Sequence, residues 1–270
     1  MIKRELSSKI LKMAKQYPVV SIVGPRQSGK TTLVQNLFKR HKYVSLEDSD
    51  TRDFAINDPR GFLKECSNGV ILDEIQRAPD LLSYIQTSVD SDDSAGRFIL
   101  TGSQNLLISE HVSQTLAGRV AILNLLPFCL DEIIGLSVLP GDLDKLILKG
   151  FYPRLYDKTI DPEGWYKNYI QTYLERDVRS LKNVGDLNTF HKFLKLCAGR
   201  NGQLLNLSSL GNDCGISHST VKAWLSVLEA SFIVFFLQPY YENFNKRLVK
   251  MQKCIFTIPA WSRRFSESMT

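Results

Sequence analysis

The chain has 270 residues, of which 43% are hydrophobic and 23% are charged. This composition is typical of globular proteins and excludes collagen, coiled coils and disordered chains, while the length predicts one large domain or two modest ones. No apolar run approaches the roughly 20 residues that a membrane-spanning helix needs, and we expect no membrane partner. The N-terminus lacks the uninterrupted apolar core of a signal peptide, and the five scattered cysteines form no CxxC pair. Both features favour a cytoplasmic protein without structural zinc.

The net charge of +6 is unevenly distributed. Residues 1–150 contain 18 Lys/Arg and 18 Asp/Glu, whereas residues 151–250 contain 13 and 9. A neutral first half and a mildly basic second half permit contact with nucleic acid, the alternative being an ordinary solvated surface.

Short apolar runs alternate with amphipathic segments in the first half. A helix is predicted over residues 4–15, and runs of strand length follow at 19–23, 44–46, 70–72, 98–100 and 120–125. Helices are predicted between these strands, at about 31–40, 79–89 and 109–117. The alternation predicts an α/β fold, with a five-stranded parallel sheet covered by helices on both faces.

Helices dominate from about residue 128 onward. We place a domain boundary between residues 136 and 150, which gives a first domain over 1–140 and a mainly helical second domain over 141–250. Trp165, Tyr169 and Tyr173 follow one another at helical spacing, and such an aromatic stripe indicates a buried core or a domain interface and not a ligand site.

The segment between the first strand and the next helix reads GPRQSGKT and matches the phosphate-binding loop GxxxxGK[ST]. We call residues 24–31 the phosphate loop. Backbone N–H groups there are expected to surround phosphate oxygens at the start of a helix. Lys30 is expected to reach the β- and γ-phosphates, and the Thr31 hydroxyl to bind Mg²⁺. The predicted nucleotide-binding set is Gly24, Pro25, Arg26, Gln27, Ser28, Gly29, Lys30, Thr31 and Thr32.

Two carboxylates, Asp73 and Glu74, follow the third strand. An acidic residue at the carboxyl end of a strand beside a phosphate loop is placed to hold Mg²⁺, which is the role predicted for Asp73. Glu74 is predicted to be the general base that activates a water. This pair, together with the absence of a guanine-reading NKxD segment, favours ATP hydrolysis over a GTPase switch.

Two further positions are candidates for catalysis. If the fourth strand lies between the first and the third, Thr101 or Ser103 at its end can hold the attacking water, although Ser103 can equally be a helix N-cap. Arg119, just before the fifth strand, can stabilise charge on the transferred phosphoryl group or can form a structural ion pair. The sequence does not decide whether it acts in its own subunit or in a neighbour.

A resemblance to a known family rests on four of these segments. They read VVSIVGPRQSGKTTL, GVILDEIQRAPDLLSYIQ, FILTGSQNLL and QTLAGRVAILNLLPFCLDEI. The chain resembles the bacterial and archaeal AAA+-type ATPases of the AAA_14 family, and its next stretch resembles the uncharacterised region that follows their ATPase core. The resemblance implies a P-loop core that uses ATP with Mg²⁺, and functional positions at Lys30, Thr31, Asp73, Glu74 and Arg119.

Residues 207–228 are typical of a helix-turn-helix. A second helix beginning near Ser217, followed by a strand at 233–237, predicts a winged-helix module. His218, Ser219 and Lys222 are the polar side chains that its first turns would present to DNA. The alternative is an internal packing module, since the segment contains few basic residues.

The last twenty residues differ from the family pattern. Related chains resemble one another in a stretch like PKLYFYDTGL followed by a nuclease-like domain, whereas this chain reads MQKCIFTIPAWSRRFSESMT. With one choice of codons, a shift of two nucleotides restores the family pattern. We therefore hypothesise that residues 251–270 are a frameshift product in a truncated family member, which sequencing of the gene beyond codon 250 tests.

These observations predict an ATPase whose nucleotide state is coupled to a winged-helix module, with a homo-oligomer as the expected assembly if Arg119 acts between subunits. Two alternatives stay open. One is a DNA-associated regulator that uses ATP as a slow switch, and the other is an ATP-binding fragment that lacks its effector domain.

Overall fold

The computed structural model describes residues 2–66, 68–103, 115–136, 139, 141–174, 187–240 and 252–262. The chain divides into two compact units, Met1–Ile134 and Gly135–Thr270. None of the described helices combines the length and the apolar character of a membrane-spanning segment. Most of the helix predicted at 109–117 lies outside the described ranges.

The first unit alternates helices and strands. Its elements are α1 (Leu6–Ala14), β1 (Val19–Val23), α2 (Lys30–Leu37), β2 (Lys42–Ser45), α3 (Ser49–Asn57), α4 (Pro59–Lys64), β3 (Val70–Asp73), a 3₁₀ turn (Ile75–Arg77), α5 (Leu81–Ser91), β4 (Phe98–Gly102), β5 (Val120–Asn124) and α6 (Leu130–Ile133).

The five strands form one parallel sheet in the order β2-β3-β4-β1-β5. This confirms the predicted α/β fold with a five-stranded parallel sheet. β4 lies between β1 and β3, which is the condition on which the roles considered for Thr101 and Ser103 depend. Every residue of β1, β3 and β4 is buried, whereas the edge strands β2 and β5 are partly exposed. Continuous apolar runs fit the central strands because neighbouring side chains point to opposite faces and both faces are covered.

One face of the sheet packs against α1 and α2. Ile10 of α1 and Leu33 of α2 belong to the same buried cluster as Val20 and Ile22 of β1. The cluster also contains side chains from β3, β4, β5 and the residue that follows β5, namely Ile71, Ile99, Leu123 and Leu125. The helix that begins at the phosphate loop is thereby fixed against the strands that end beside it.

The second unit is mainly helical, as predicted. Its elements are α7 (Leu143–Lys149), α8 (Arg154–Asp157), α9 (Pro162–Tyr169) with a π-helical turn (Ile170–Leu174), α10 (Leu187–Gly199), α11 (Leu207–Cys214), α12 (His218–Ala230), β6 (Val234–Leu237) and β7 (Lys253–Phe256).

Aromatic side chains fill part of the core of this unit. Trp165, Tyr166, Tyr169 and Tyr152 are buried together with Trp261, and the Tyr152 ring centroid lies 4.7–6.2 Å from the other four. Burial of Trp165 and Tyr169 confirms the core predicted from the aromatic stripe, while the side chain of Tyr173 lies outside the described residues.

The segment predicted as a helix-turn-helix contains two helices, α11 and α12. Gly215 between them has φ of 75°, a left-handed conformation that favours glycine, and the Ser217 hydroxyl accepts a hydrogen bond from the Thr220 N–H at the start of α12. β6 follows and pairs antiparallel with β7, a strand that lies within residues 251–270.

Candidate active site

Parallel pairing brings the ends of three central strands to one edge of the sheet. The phosphate loop begins directly after Val23 of β1, Asp73 is the last residue of β3, and Thr101 is the penultimate residue of β4. Carboxyl ends of parallel strands lie side by side, and this edge is where ligands bind in open α/β sheets. The polar residues that the sequence singled out after three separate strands are therefore neighbours.

Two glycines shape the phosphate loop, each for a different reason. A Cβ at Gly24 would collide with the carbonyl oxygen of Leu125, so the loop lies against the segment after β5. Gly29 has φ of 91° at the N-cap of α2, where a side chain would be strained. Gln27 also has a positive φ, 61°, which is uncommon for a residue other than glycine.

Lys30 is buried inside the loop that precedes it. Its Nζ donates to the carbonyl oxygens of Gly24, at 2.9 Å, and Pro25, at 2.8 Å. Burial lowers the pKa of Lys30 to about 8, against the opposing effect of the Glu74 and Asp73 carboxylates. The ammonium group is thus held in the loop, close to the negative charges that end β3.

Asp73 accepts hydrogen bonds from three hydroxyl groups. The Thr31 Oγ1 lies 3.0 and 3.1 Å from its two carboxylate oxygens, and the Tyr43 hydroxyl donates to Oδ2 at 2.8 Å. The third donor is the wholly buried hydroxyl of Thr101. The structure therefore brings Thr31 and Asp73 together, as predicted for a shared metal ion, and places the Thr101 hydroxyl on Asp73.

Glu74 lies beside Asp73 but belongs to a second hydrogen-bonded group. Its backbone is left-handed, with φ of 58° and ψ of 48°, and this conformation turns the chain sharply at the end of β3. The Ser103 hydroxyl donates to Glu74 Oε2 at 3.1 Å, and the Gln76 side-chain amide donates to the same oxygen. Of the two hydroxyls proposed to hold the attacking water, Ser103 is the one that contacts Glu74.

The remaining predicted nucleotide-binding residues all lie in or next to the phosphate loop. Pro25 and Ser28 are buried, Arg26 and Gln27 are partly buried, and Thr32 is exposed on the first turn of α2.

Arg119 lies at the opposite end of the strands from the phosphate loop. It precedes β5, and its carbonyl oxygen accepts a hydrogen bond from the N–H of Val19, the first residue of β1. A five-residue strand spans about 16 Å, and the phosphate loop starts at the far end of β1. The guanidinium instead pairs with Asp90 at 2.5 Å. A catalytic role for Arg119 within its own subunit does not fit this position, and the structural ion pair that the sequence left open is present.

Two residues of the site were not predicted from the sequence, Tyr43 and Gln76. Burial is the main cause, and the hydrogen bond to Asp73 the second, of a pKa raised to about 12 at Tyr43. The phenol therefore stays protonated and donates to that carboxylate. Tyr43 lies on an edge strand and matches no motif. Gln76 stands two residues after Glu74, and that closeness was the only available signal in the sequence.

The donor set at the strand ends fits Mg²⁺. The Thr31 hydroxyl and the Asp73 carboxylate offer the hard oxygen ligands that this ion prefers, and Mg²⁺ in nucleotide sites is commonly held by one or two carboxylates together with phosphate oxygens and waters.

Comparison with known families gives two adjacent matches. Residues 16–134 match the AAA_14 family, described as an AAA domain. Residues 140–258 match DUF8612, a domain of unknown function.

Two curated relatives are similar in sequence to this protein over most of its chain. The "Uncharacterized protein Rv2008c" of Mycobacterium tuberculosis is 29% identical over 251 residues, which cover 91% of this chain and 55% of that protein. The "Uncharacterized protein MJ1544" of Methanocaldococcus jannaschii is 20% identical, with 92% and 62% covered. The chain thus spans little more than half the length of these relatives.

Among solved structures, the Walker-type ATPase PABY2304 of Pyrococcus abyssi superposes with a TM-score of 0.64, at 15% identity, over 98% of this chain and 96% of that one. At this identity the likeness concerns the fold. The sheet order and the phosphate loop between β1 and α2 agree with the two family matches: residues 16–134 are an AAA domain of the AAA_14 family, and a DUF8612 region follows at residues 140–258.

Proposed function

We propose that this protein binds ATP together with Mg²⁺ and hydrolyses it. The observation that supports the proposal most strongly is the meeting of Lys30, Thr31, Asp73 and Glu74 at one edge of the sheet, although they come from two separate stretches of sequence. The AAA_14 match over the same residues agrees with it.

Each residue has a distinct role in this proposal. The phosphate loop surrounds the phosphates, and Lys30 exchanges its two carbonyl acceptors for β- and γ-phosphate oxygens. With a pKa of about 8, the Lys30 amine is mostly protonated at pH 7 and neutralises part of the phosphate charge. Thr31 and Asp73 would hold Mg²⁺, and the ion would neutralise part of the phosphate charge when bound.

Hydrolysis requires a water to lose a proton as its oxygen attacks the γ-phosphorus. Glu74 accepts that proton, the bond from the γ-phosphorus to the bridging oxygen breaks, and ADP leaves with the electron pair. Ser103 and Gln76 orient the Glu74 carboxylate by donating to one of its oxygens. The other carboxylate oxygen, Oε1, is then the one that faces the water.

Two variants test the assignment. Lys30→Ala removes the ammonium group that contacts the phosphates. The variant should therefore fail to bind a non-hydrolysable ATP analogue, as measured by calorimetric titration. Glu74→Gln keeps the shape of the side chain and should bind the analogue normally, yet slow Mg²⁺-dependent phosphate release by about 10²-fold or more. Binding by Lys30→Ala within a few-fold of wild type, or unchanged turnover in Glu74→Gln, would contradict the assignment.

A second proposed function is contact with DNA through residues 207–228, in a winged-helix module that these residues would form together with β6 and β7. It is supported by the left-handed Gly215 turn between α11 and α12, and by the exposed positions of His218, Ser219 and Lys222 on the first turns of α12. Burial of the opposite face of α12, with Val221 and Trp224 in the core, also fits the alternative of a packing module.

Salt-dependent binding to a DNA duplex distinguishes these two alternatives. Lys222→Ala should weaken binding and reduce the slope of log affinity against log salt by about one, as expected for loss of one phosphate contact. Lys167→Ala removes the same charge from an exposed position on α9 and should have no such effect. Equal affinity of wild type and Lys222→Ala would favour the packing module.

A further inference from the structure

Arg4 carries a buried charge and belongs to no sequence motif. It lies just before α1 and is only 6% exposed. Its guanidinium donates to three main-chain carbonyl groups: Nη1 to Ser28 at 2.9 Å, and Nη2 to Leu126 at 2.6 Å and Pro127 at 3.2 Å. One of these acceptors belongs to the phosphate loop and two belong to the segment after β5.

The charge of Arg4 is balanced by Glu132, which is fixed in turn by the main chain. Arg4 Nε lies 3.1 Å from both Glu132 carboxylate oxygens. The same carboxylate accepts from the N–H of Glu5 at 2.8 Å and from the N–H of Cys129 at 3.1 Å. Because Glu132 is anchored on two sides, the guanidinium is held in one orientation and presents Nη1 to Ser28.

The Ser28 carbonyl determines the direction of the next N–H. In a trans peptide the C=O and the following N–H point to opposite sides. A carbonyl of Ser28 held by Arg4 therefore turns the N–H of Gly29 away from Arg4. Gly29 precedes α2, where the first N–H groups have no intrahelical acceptor and can bind an anion.

Loss of that hydrogen bond would leave the Ser28–Gly29 peptide poorly restrained. Ser28 is buried, but its side-chain hydroxyl has no hydrogen-bond partner among the described residues, so it does not fix the peptide. The positive φ of Gly29 adds to the freedom of this peptide, since glycine occupies several backbone regions at little cost.

We propose that Arg4 is a positioning residue for phosphate binding: through the Ser28 carbonyl it orients the Gly29 N–H toward the phosphates, and through Leu126 and Pro127 it joins the loop to the segment after β5. The inference rests on the proposed nucleotide function. Arg4 itself touches no phosphate, because its donors are directed to carbonyl groups and to Glu132.

The test uses Arg4→Lys, which retains the charge beside Glu132 but offers a single nitrogen in place of the fork that bridges three carbonyls. The matched control is Ile10→Ala in α1. It removes a wholly buried side chain from the neighbouring core, in a cluster that contains no residue of the phosphate loop. Titrations with a non-hydrolysable ATP analogue and with inorganic pyrophosphate are carried out at a temperature where circular dichroism shows all variants folded.

Arg4→Lys should lose about tenfold or more in affinity for both probes, because an oriented donor to the phosphates is lost. Ile10→Ala should bind both within about twofold of wild type, even though its thermal midpoint falls. If Arg4→Lys does not fold, Glu132→Gln replaces it. That variant leaves the three carbonyl acceptors in place, frees the guanidinium to turn, and should weaken both probes in the same direction.

Wild-type affinity in the folded Arg4→Lys, or in Glu132→Gln where that variant is used, would overturn the proposal. An equal loss of affinity in Ile10→Ala would also overturn it, since the effect would then follow from general destabilisation. Failure of the wild-type chain to bind either probe would instead refute the nucleotide function and, with it, the role of Arg4.

Discussion

Asp73 accepts hydrogen bonds from three hydroxyl donors on three different elements: Thr31 on α2, Tyr43 on β2 and Thr101 on β4. A charged carboxylate removed from water is costly unless its lone pairs are satisfied, and these donors satisfy them. The arrangement also fixes the carboxylate before any ligand arrives, which reduces the rearrangement that metal binding requires.

Thr101→Val tests this role because it replaces the buried hydroxyl by a methyl group of similar size. We expect the free energy of unfolding to fall by about 1.5–3 kcal/mol, the usual range for a hydrogen bond to a charged group. Mg²⁺-dependent ATP hydrolysis should fall as well. Chemical denaturation and phosphate release measure the two effects.

Thr101→Ser is the matched control, since it keeps the hydroxyl and loses only the methyl group. Its hydrolysis should stay within a few-fold of wild type. Full hydrolysis by Thr101→Val would show that two donors suffice to hold Asp73.

At the scale of elements, the turn between α11 and α12 depends on a single backbone conformation. Gly215 has φ of 75°, and a Cβ added there would meet no atom within 4 Å. Any effect of a side chain at this position therefore comes from the backbone itself and not from a clash.

Gly215→Ala should lower the free energy of unfolding of this unit by about 1 kcal/mol, and Gly215→Asn by less, because asparagine tolerates the left-handed region. Denaturation curves of the two variants are the measurement. Gly141→Ala is the control, since Gly141 also has open space around it but no positive φ. A Gly141→Ala variant destabilised as much as Gly215→Ala would contradict the backbone explanation.

At the scale of the whole molecule, the position of Arg119 makes its role a question of assembly. Arg119 and the phosphate loop lie at opposite ends of paired strands, so the guanidinium can contribute to hydrolysis only at the site of another subunit. We therefore propose a homo-oligomer in which the Arg119 guanidinium leaves Asp90 and approaches the γ-phosphate bound to a neighbouring subunit.

Mixing two inactive variants tests that assembly. Arg119→Ala keeps an intact phosphate loop, and Lys30→Ala keeps the arginine, so mixed interfaces contain one complete site. Hydrolysis should reappear on mixing, and the rate per chain should rise with protein concentration. An arginine supplied by a neighbouring subunit accelerates hydrolysis by about 10³–10⁵-fold, so that a small fraction of mixed interfaces should be detectable. Normal hydrolysis by Arg119→Ala alone would make the residue purely structural, paired with Asp90.

The parallel strands and the main chemical groups of the candidate site were predictable from the sequence alone. Short runs such as 19–23, which is apolar except for Ser21, and 70–72 predicted buried parallel strands, because strands covered on both faces are apolar at nearly every position. The phosphate loop and the carboxylates of Asp73 and Glu74 were identified because their chemistry depends on residue type at fixed local spacing. Trp165 and Tyr169 were recognised as core from helical periodicity for the same local reason.

The contacts between groups that are distant in sequence were not predictable and follow from the fold. Arg4, which precedes α1, lies beside the phosphate loop. Strand order and register bring Tyr43 and Thr101 to Asp73, and the end of β4 brings Ser103 to Glu74. The same register places Arg119 at the far end of the sheet. A single sequence states the spacing of residues along the chain, but contact between strands separated by thirty or a hundred residues depends on how the sheet is ordered, and that order is a property of the folded chain.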